Sequence, residues 1–205
     1  MADSGMIELQ FSSEGSMMAN IARLHRRALD QTRTVVAGIE RDQWNAATPC
    51  SGWDVQALLT HLVAGNLWAA ELGAGSTIEE VGDRLDGGVL GDDALVAYDA
   101  SSKLAAATFE VPGALDAPCA VSYGPVPGSV YAGHRFIDVL IHGWDLAMAT
   151  GQATTLDAEL AGAAYELLLS EADMVRASGM FGEDLAVPSD AGMQTRLLAF
   201  IGRKG

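Results

Sequence analysis

Cysteine is scarce in this 205-residue chain: there are two, Cys50 and Cys119, far apart and in no C-x-x-C arrangement. That spacing offers neither a disulfide framework nor a cysteine zinc site, and it suits a reducing compartment. Basic charge is short as well. Twelve Lys and Arg stand against 27 Asp and Glu, giving a net charge of −15 and a pI near 4.4, with no basic cluster beyond the Arg26-Arg27 pair. A chain of that sign repels phosphate backbones and anionic lipid, so neither nucleic acid nor a membrane is an expected partner. Apolar runs such as Asp138 to Ile141 are short and broken by charge, and the Met-Ala-Asp-Ser-Gly start has neither a basic n-region nor an apolar h-region. The expectation is a soluble cytoplasmic protein. No Walker loop, G-x-G-x-x-G motif or G-x-S-x-G elbow occurs, so phosphate-cradling, dinucleotide and hydrolase-elbow chemistry lack their main signal.

What is present is apolar and helical in period. Hydrophobic residues make up 49% and charged residues 19%, a balance that buries a core, and the length predicts one domain over 1–205. From Ser16 to Ile39, Ile21, Leu24, Ala28, Thr32, Val35, Val36 and Ile39 recur at the three-and-four spacing of an amphipathic helix. Ser51-Gly52-Trp53-Asp54 offers a Ser cap with an acid three residues on, which starts a second helix through Leu58, Leu59 and Leu62 to about Leu72. A long loop is expected from Gly73 to Gly91. Asp92 or Asp93 then caps a third helix that ends before Pro112.

Cys119 to Gly124, hemmed by prolines, reads as a short strand or extended loop. Ser129 to Thr150 reads as a fourth helix closed by Gly151, and a fifth, with Thr154 and Asp157 in a capping-box-like arrangement, runs to about Arg176. A short helical piece near Gln194 to Ile201 follows, and no internal repeat is evident. The pattern predicts an all-α protein, an antiparallel helical bundle in which sites are built from inward side chains of facing helices.

Asp138 and His142 lie four residues apart on the fourth helix, which stacks a carboxylate and an imidazole on one face. His61 lies on the second helix, so two helices can bring a two-histidine, one-carboxylate set to one point, the number of ligands that a catalytic metal takes while keeping a position open. The plainer alternative stays open: partly buried histidines, one of them held by a neighbouring acid. His134 shares the Asp138 stripe but lies two turns, roughly 12 Å by helix rise, from His142, which ranks it at the mouth or behind the ligands. His25, beside Arg26 and Arg27, reads most simply as a solvated edge residue. Asp145 could cap, pair with an arginine, or accept a hydrogen bond from a ligand imidazole. Trp53 and Trp144 read as core anchors. Cys50 lies near a helix start, where a thiol pKa can fall, although a small packed cysteine is the commoner outcome.

Larger blocks carry a resemblance. Thr48-Pro49-Cys50-Ser51-Gly52-Trp53-Asp54-Val55 with His61-Leu62-Val63, Asp138 with Ile141-His142-Gly143-Trp144-Asp145-Leu146-Ala147, Ala149-Thr150-Gly151 and the closing Arg196 to Arg203 are similar to the actinobacterial metal-binding proteins related to mycothiol-dependent maleylpyruvate isomerase, in the DinB/YfiT-like superfamily. The resemblance implies a DinB-like four-helix bundle with a short extra helix and a minor extended segment. It also implies a divalent metal, zinc first and nickel second, on a His and an acid-x-x-x-His pair, positions that fall on His61, Asp138 and His142. Mycothiol, or a similar low-molecular-weight thiol, is the implied co-substrate. The metal would activate it for attack on an electrophile, in transferase or isomerase chemistry.

Two departures are visible. Asp138 stands where the isomerase pattern has Glu, one methylene longer, and only a short tail follows where the isomerase has a second domain, so its particular substrate does not carry over. The rival readings are a metal-binding bundle without turnover and a structural bundle, each compatible with a homodimer.

Overall fold

The computed structural model describes residues 20–179 and 181–204. Four long helices carry it: α1 (Ile21–Ala37), α2 (Val55–Gly73), α4 (Ala94–Glu110) and α5 (Gly128–Ala149), with a one-turn α3 (Ile78–Val81) between α2 and α4. The fold is all-α and DinB-like. The helix α1 packs along α5 and α2 along α4, while α2 also meets α5 and α1 meets α4, which closes a four-helix bundle. A hairpin of β1 (Pro118–Val121) and β2 (Gly124–Pro127), paired antiparallel, lies against α2 and α5 just before α5 begins. Three further helices follow: α6 (Ala158–Ser170), α7 (Ala172–Ser178) and α8 (Met193–Phe200), with α8 packed on α6.

The buried stripes match the periodicity. Ile21, Leu24, Ala28, Leu29 and Val36 on α1 meet Phe136, Leu140, Ile141 and Trp144 on α5 within one core that also takes Leu58, Leu59 and Leu62 from α2 and Tyr98 and Phe109 from α4. Each buried Leu, Ile, Val or Phe among them contributes about 1.5–3 kcal/mol relative to an exposed one. The part of the first expected helix before Asn20 lies outside the described residues.

Helix ends depart from the sequence reading in instructive ways. Ser51 does not cap α2; the Asp54 carboxylate accepts from the Ala57 amide at 2.8 Å. Asp93 caps α4 as expected, but Asp157 rather than Thr154 caps α6, accepting from the Glu159 and Leu160 amides. At α2 and α6 an acid one residue before the first helical turn displaces the more distant hydroxyl, because only a side chain at that position reaches the free N–H groups. The expected loop after Gly73 contains α3, closed by a Thr77–Glu80 capping box. The expected fifth helix is two, broken at Glu171. At the end of α5, Gly151 turns at φ +67°, the Gln152 amide reaches the Ala147 carbonyl at 2.9 Å and the Gly151 amide that of Met148 at 3.4 Å, a Schellman ending.

Candidate metal centre

Helices α2 and α5 pack so that His61, Asp138 and His142 converge: one ligand atom from each lies within 4.8 Å of the others. Asp138 Oδ1 accepts from His61 Nε2 at 3.0 Å and lies 3.5 Å from His142 Nε2. The two imidazoles meet edge to face, 5.2 Å between centroids. The side chains are 35%, 24% and 15% exposed for His61, Asp138 and His142, so the cluster opens to solvent on the His61 side and is closed behind His142.

The surroundings fix each group. His142 donates from Nδ1 to Asp145 Oδ2 at 3.0 Å, which leaves Nε2 as the nitrogen facing Asp138. Asp145 is completely buried and is gripped by Arg203, Nε to Oδ1 at 2.8 Å and Nη2 to Oδ2 at 3.1 Å. Of the three roles open to Asp145 in the sequence, it fills two at once. Arg203 reaches it because α8 also ends in a Schellman turn: Gly202 takes φ +73°, its amide reaches the Ala199 carbonyl at 3.1 Å, and the Arg203 amide reaches Leu198 at 2.8 Å. On the other flank, Arg135 Nη1 donates to Asp138 Oδ2 at 2.8 Å. Burial works to raise the Asp138 carboxyl, but the Arg135 charge, the hydrogen bond from His61 and the charges of His142 and His61 outweigh it and hold the group well below the usual carboxylate range.

Trp53 is a wall of the site rather than a core anchor. Its ring lies 4.8 Å from that of His61 and 6.1 Å from that of His142. The turn before α2 puts it there: the Thr48 hydroxyl donates to the Trp53 carbonyl at 2.8 Å and accepts from the Cys50 amide at 3.1 Å. Trp144, by contrast, is the expected core residue, 2% exposed. Cys50, partly buried, lies beside Arg203, but burial and the Asp145 charge push its thiol up, against the pull of Arg203, so it is a packed thiol and not an activated one.

The other two histidines are engaged elsewhere. His134 accepts from the Tyr123 hydroxyl at Nδ1, at 2.5 Å, and its Nε2 donates to Glu171 at 3.3 Å, which turns it away from the cluster. His25 is the clear correction: it is not a solvated edge residue but 0% exposed, edge-on to Phe109, with neither ring nitrogen hydrogen-bonded. Burial, then the charges of Arg135 and Arg26, lower its pKa to about 3. The signal was available, since His25 falls on the same stripe as Ile21, Leu24, Ala28 and Leu29. Arg135 could have been found at three residues before Asp138. Arg203 carried no local signal at all.

The donor set suits a metal: two imidazole nitrogens and a carboxylate oxygen converge, one imidazole is oriented by a carboxylate behind it, and one side faces solvent. Fold and site together define a helical-bundle protein with a candidate two-histidine, one-carboxylate centre. More particularly, the chain belongs to the mycothiol maleylpyruvate isomerase N-terminal domain family, whose profile matches residues 25–147. It is 38% identical over 188 residues to uncharacterized protein Rv0738 of Mycobacterium tuberculosis strain H37Rv, covering 87% of this chain and 95% of that one. The same figures hold for uncharacterized protein MT0763 of strain CDC 1551. No solved structure matches. Among the described residues no helix is long and apolar enough to cross a membrane.

Proposed function

We propose that this protein binds one divalent metal ion, zinc before nickel, through His61, Asp138 and His142, and uses it in mycothiol-dependent transferase or isomerase chemistry. The observation that carries the reading is the convergence of those three ligand atoms within 4.8 Å in a member of a family named for a mycothiol-dependent isomerase. Bound there, the metal would supply a Lewis acid that favours the thiolate of mycothiol, or a similar small thiol, at neutral pH for attack on an electrophilic carbon. His61 and His142 would present their Nε2 lone pairs and Asp138 its Oδ1. Asp145 and Arg203 would keep the His142 ring from rotating, and Trp53 would exclude water from one side of the imidazoles. The excess of acidic charge and the two unpaired cysteines support small-molecule partners in a reducing, cytoplasmic setting.

One observation favours a second reading, a structural bundle without turnover: the cluster already closes on itself through the His61–Asp138 and Arg135–Asp138 contacts. Metal content by plasma mass spectrometry, on untagged wild type and His142→Ala prepared side by side, separates the two. About one zinc or nickel per chain in the wild type, lost in the variant, is expected from a three-ligand site. No metal in the wild type even after incubation with zinc or nickel would leave the structural reading.

A further inference from the structure

Asp138 presents its two oxygens to different neighbours. Oδ1 faces the imidazoles, whereas Oδ2 is taken by Arg135. Arg135 is itself 7% exposed, so its charge is not shared out to water. Among the described residues Asp138 is its one carboxylate partner, and its Nε has no hydrogen-bond partner at all.

Its seat is built from two other helices. On α2, one turn beyond His61, Gly65 leaves the space in which the guanidinium lies: a Cβ there would come within 2.5 Å of Nη1 and 2.6 Å of Cζ and Nη2. No other residue type leaves that gap, so the glycine serves close approach and not a turn. The next residue, Asn66, is fully buried and accepts from Arg135 Nη2 at 3.5 Å. Asn66 is held in turn by α4, its Nδ2 reaching the hydroxyls of Ser101 at 3.4 Å and Ser102 at 3.3 Å. Nearby His25 is neutral and offers the guanidinium no negative charge.

This arrangement has a consequence for what the site attracts. A divalent metal carries two positive charges, and Asp138 and Arg135 cancel one another, as do Asp145 and Arg203. The open position would then keep the full charge of the ion, with a buried cation behind the carboxylate. We infer that Arg135, seated on Gly65 and steadied by Asn66, is a positioning residue that reserves Asp138 Oδ2 and leaves Oδ1 alone to face the metal, making the open position selective for anionic ligands such as a thiolate. The inference rests on the proposed metal site and adds the class of ligand it prefers. A residue that merely held the fold would not discriminate between an anion and a neutral ligand of the same centre.

The test uses the full chain loaded with cobalt(II), whose visible spectrum reports ligands added at the metal. Thiocyanate serves as the anionic probe and imidazole as the neutral one. Arg135→Met should weaken thiocyanate binding about tenfold or more, the size of effect that a nearby charge has on an ionic equilibrium. Imidazole binding should fall much less, by no more than the freed Oδ2 competes for the open position, and cobalt affinity should be equal or tighter, because a like charge has been removed. Arg135→Lys, which keeps the charge, should restore most of the thiocyanate affinity. Should Arg135→Met fail to fold, Gly65→Ala decides: alanine suits a helix better than glycine, and its Cβ must push the guanidinium off its seat, so the same selective loss is expected to a smaller degree.

Equal losses for thiocyanate and imidazole, or none for thiocyanate, would overturn the inference while leaving the metal site standing. A wild type that takes up no cobalt would overturn the metal reading and this inference with it.

Discussion

Where α2 meets α5, three imidazole nitrogens face carboxylate oxygens within 3.5 Å; on α1, inside the same bundle, His25 has two nitrogens and no partner for either. Both regions lie on apolar helix stripes. They differ in which charged groups surround the rings. At the first, Asp138 and Asp145 arrive at the depth of the rings and are themselves paired with Arg135 and Arg203. At the second, the neighbours are Phe109 and the charges of Arg135 and Arg26. A histidine beside an apolar stripe therefore joins a site when a carboxylate, from its own helix or the facing one, lies within reach of its ring. Otherwise it is a neutral ring whose unpartnered nitrogens cost about 1–3 kcal/mol each in lost hydrogen bonding.

The comparison breaks most severely at Asp145. A fully buried carboxylate is tolerated here because Arg203 holds both oxygens. Arg203→Met should cost about 3–5 kcal/mol, the penalty for a buried charge left alone, seen as a lower urea midpoint of the metal-free protein. The released His142 ring should also lower zinc affinity about 10–100-fold. A variant as stable as the wild type would show that the tail only clasps the surface and that the ordered end of the bundle does not depend on paired charge.

The unpartnered end is tested by pH. The unfolded chain protonates this imidazole near its ordinary value of about 6.5, while the folded ring resists until about 3. Between those values the unfolded state binds more protons, so His25 makes stability fall on acidification by about 1.4 kcal/mol per pH unit, and its effect is absent above the upper value. Asp138 is shifted in the same direction, but in a carboxylate a lowered value favours the charged folded form. Its lowered pKa stabilises the fold above the unfolded carboxylate value of about 3.9, and that contribution disappears only at lower pH. His25→Leu should thus be more stable relative to wild type at pH 5 than at pH 7.5, by about 2 kcal/mol. Parallel pH curves for the two proteins would mean that the ring is hydrated or charged in the fold.

The stripes on α1, α2 and α5 were legible because burial and period coincide, and His61, Asp138 and His142 stood out as a candidate set because two lie at i and i+4 and the third falls in a block that resembles the family. Their convergence needed the packing of α2 on α5. The burial of His25 was on its stripe and was masked by the adjacent Arg26-Arg27, whose charges point away to Glu110, Asp157 and Glu159. Trp53 as a wall and Arg203 as a clasp depend on tertiary contacts between segments far apart in sequence, which no local pattern encodes. Caps were misread wherever a hydroxyl and an acid competed, since only the folded backbone shows which one stands at the first free amide.

That last competition gives the mildest test of the contrast between site and scaffold. Asp54 both caps α2 and follows Trp53, so its loss could act on the helix alone or on the ring laid across the imidazoles. The cap hydrogen bond to Ala57 is a local one, at 2.8 Å, and Trp53 is held independently by the Thr48 hydroxyl on its carbonyl. Asp54→Ala should therefore cost about 1 kcal/mol in urea unfolding and leave zinc affinity where it is, because neither His61 nor the α2–α5 contact that carries it moves. A loss of zinc affinity comparable to that of Arg203→Met would show instead that the start of α2 is built into the candidate centre, and the division between the clustered rings and the helix that presents them would have to be redrawn around Trp53.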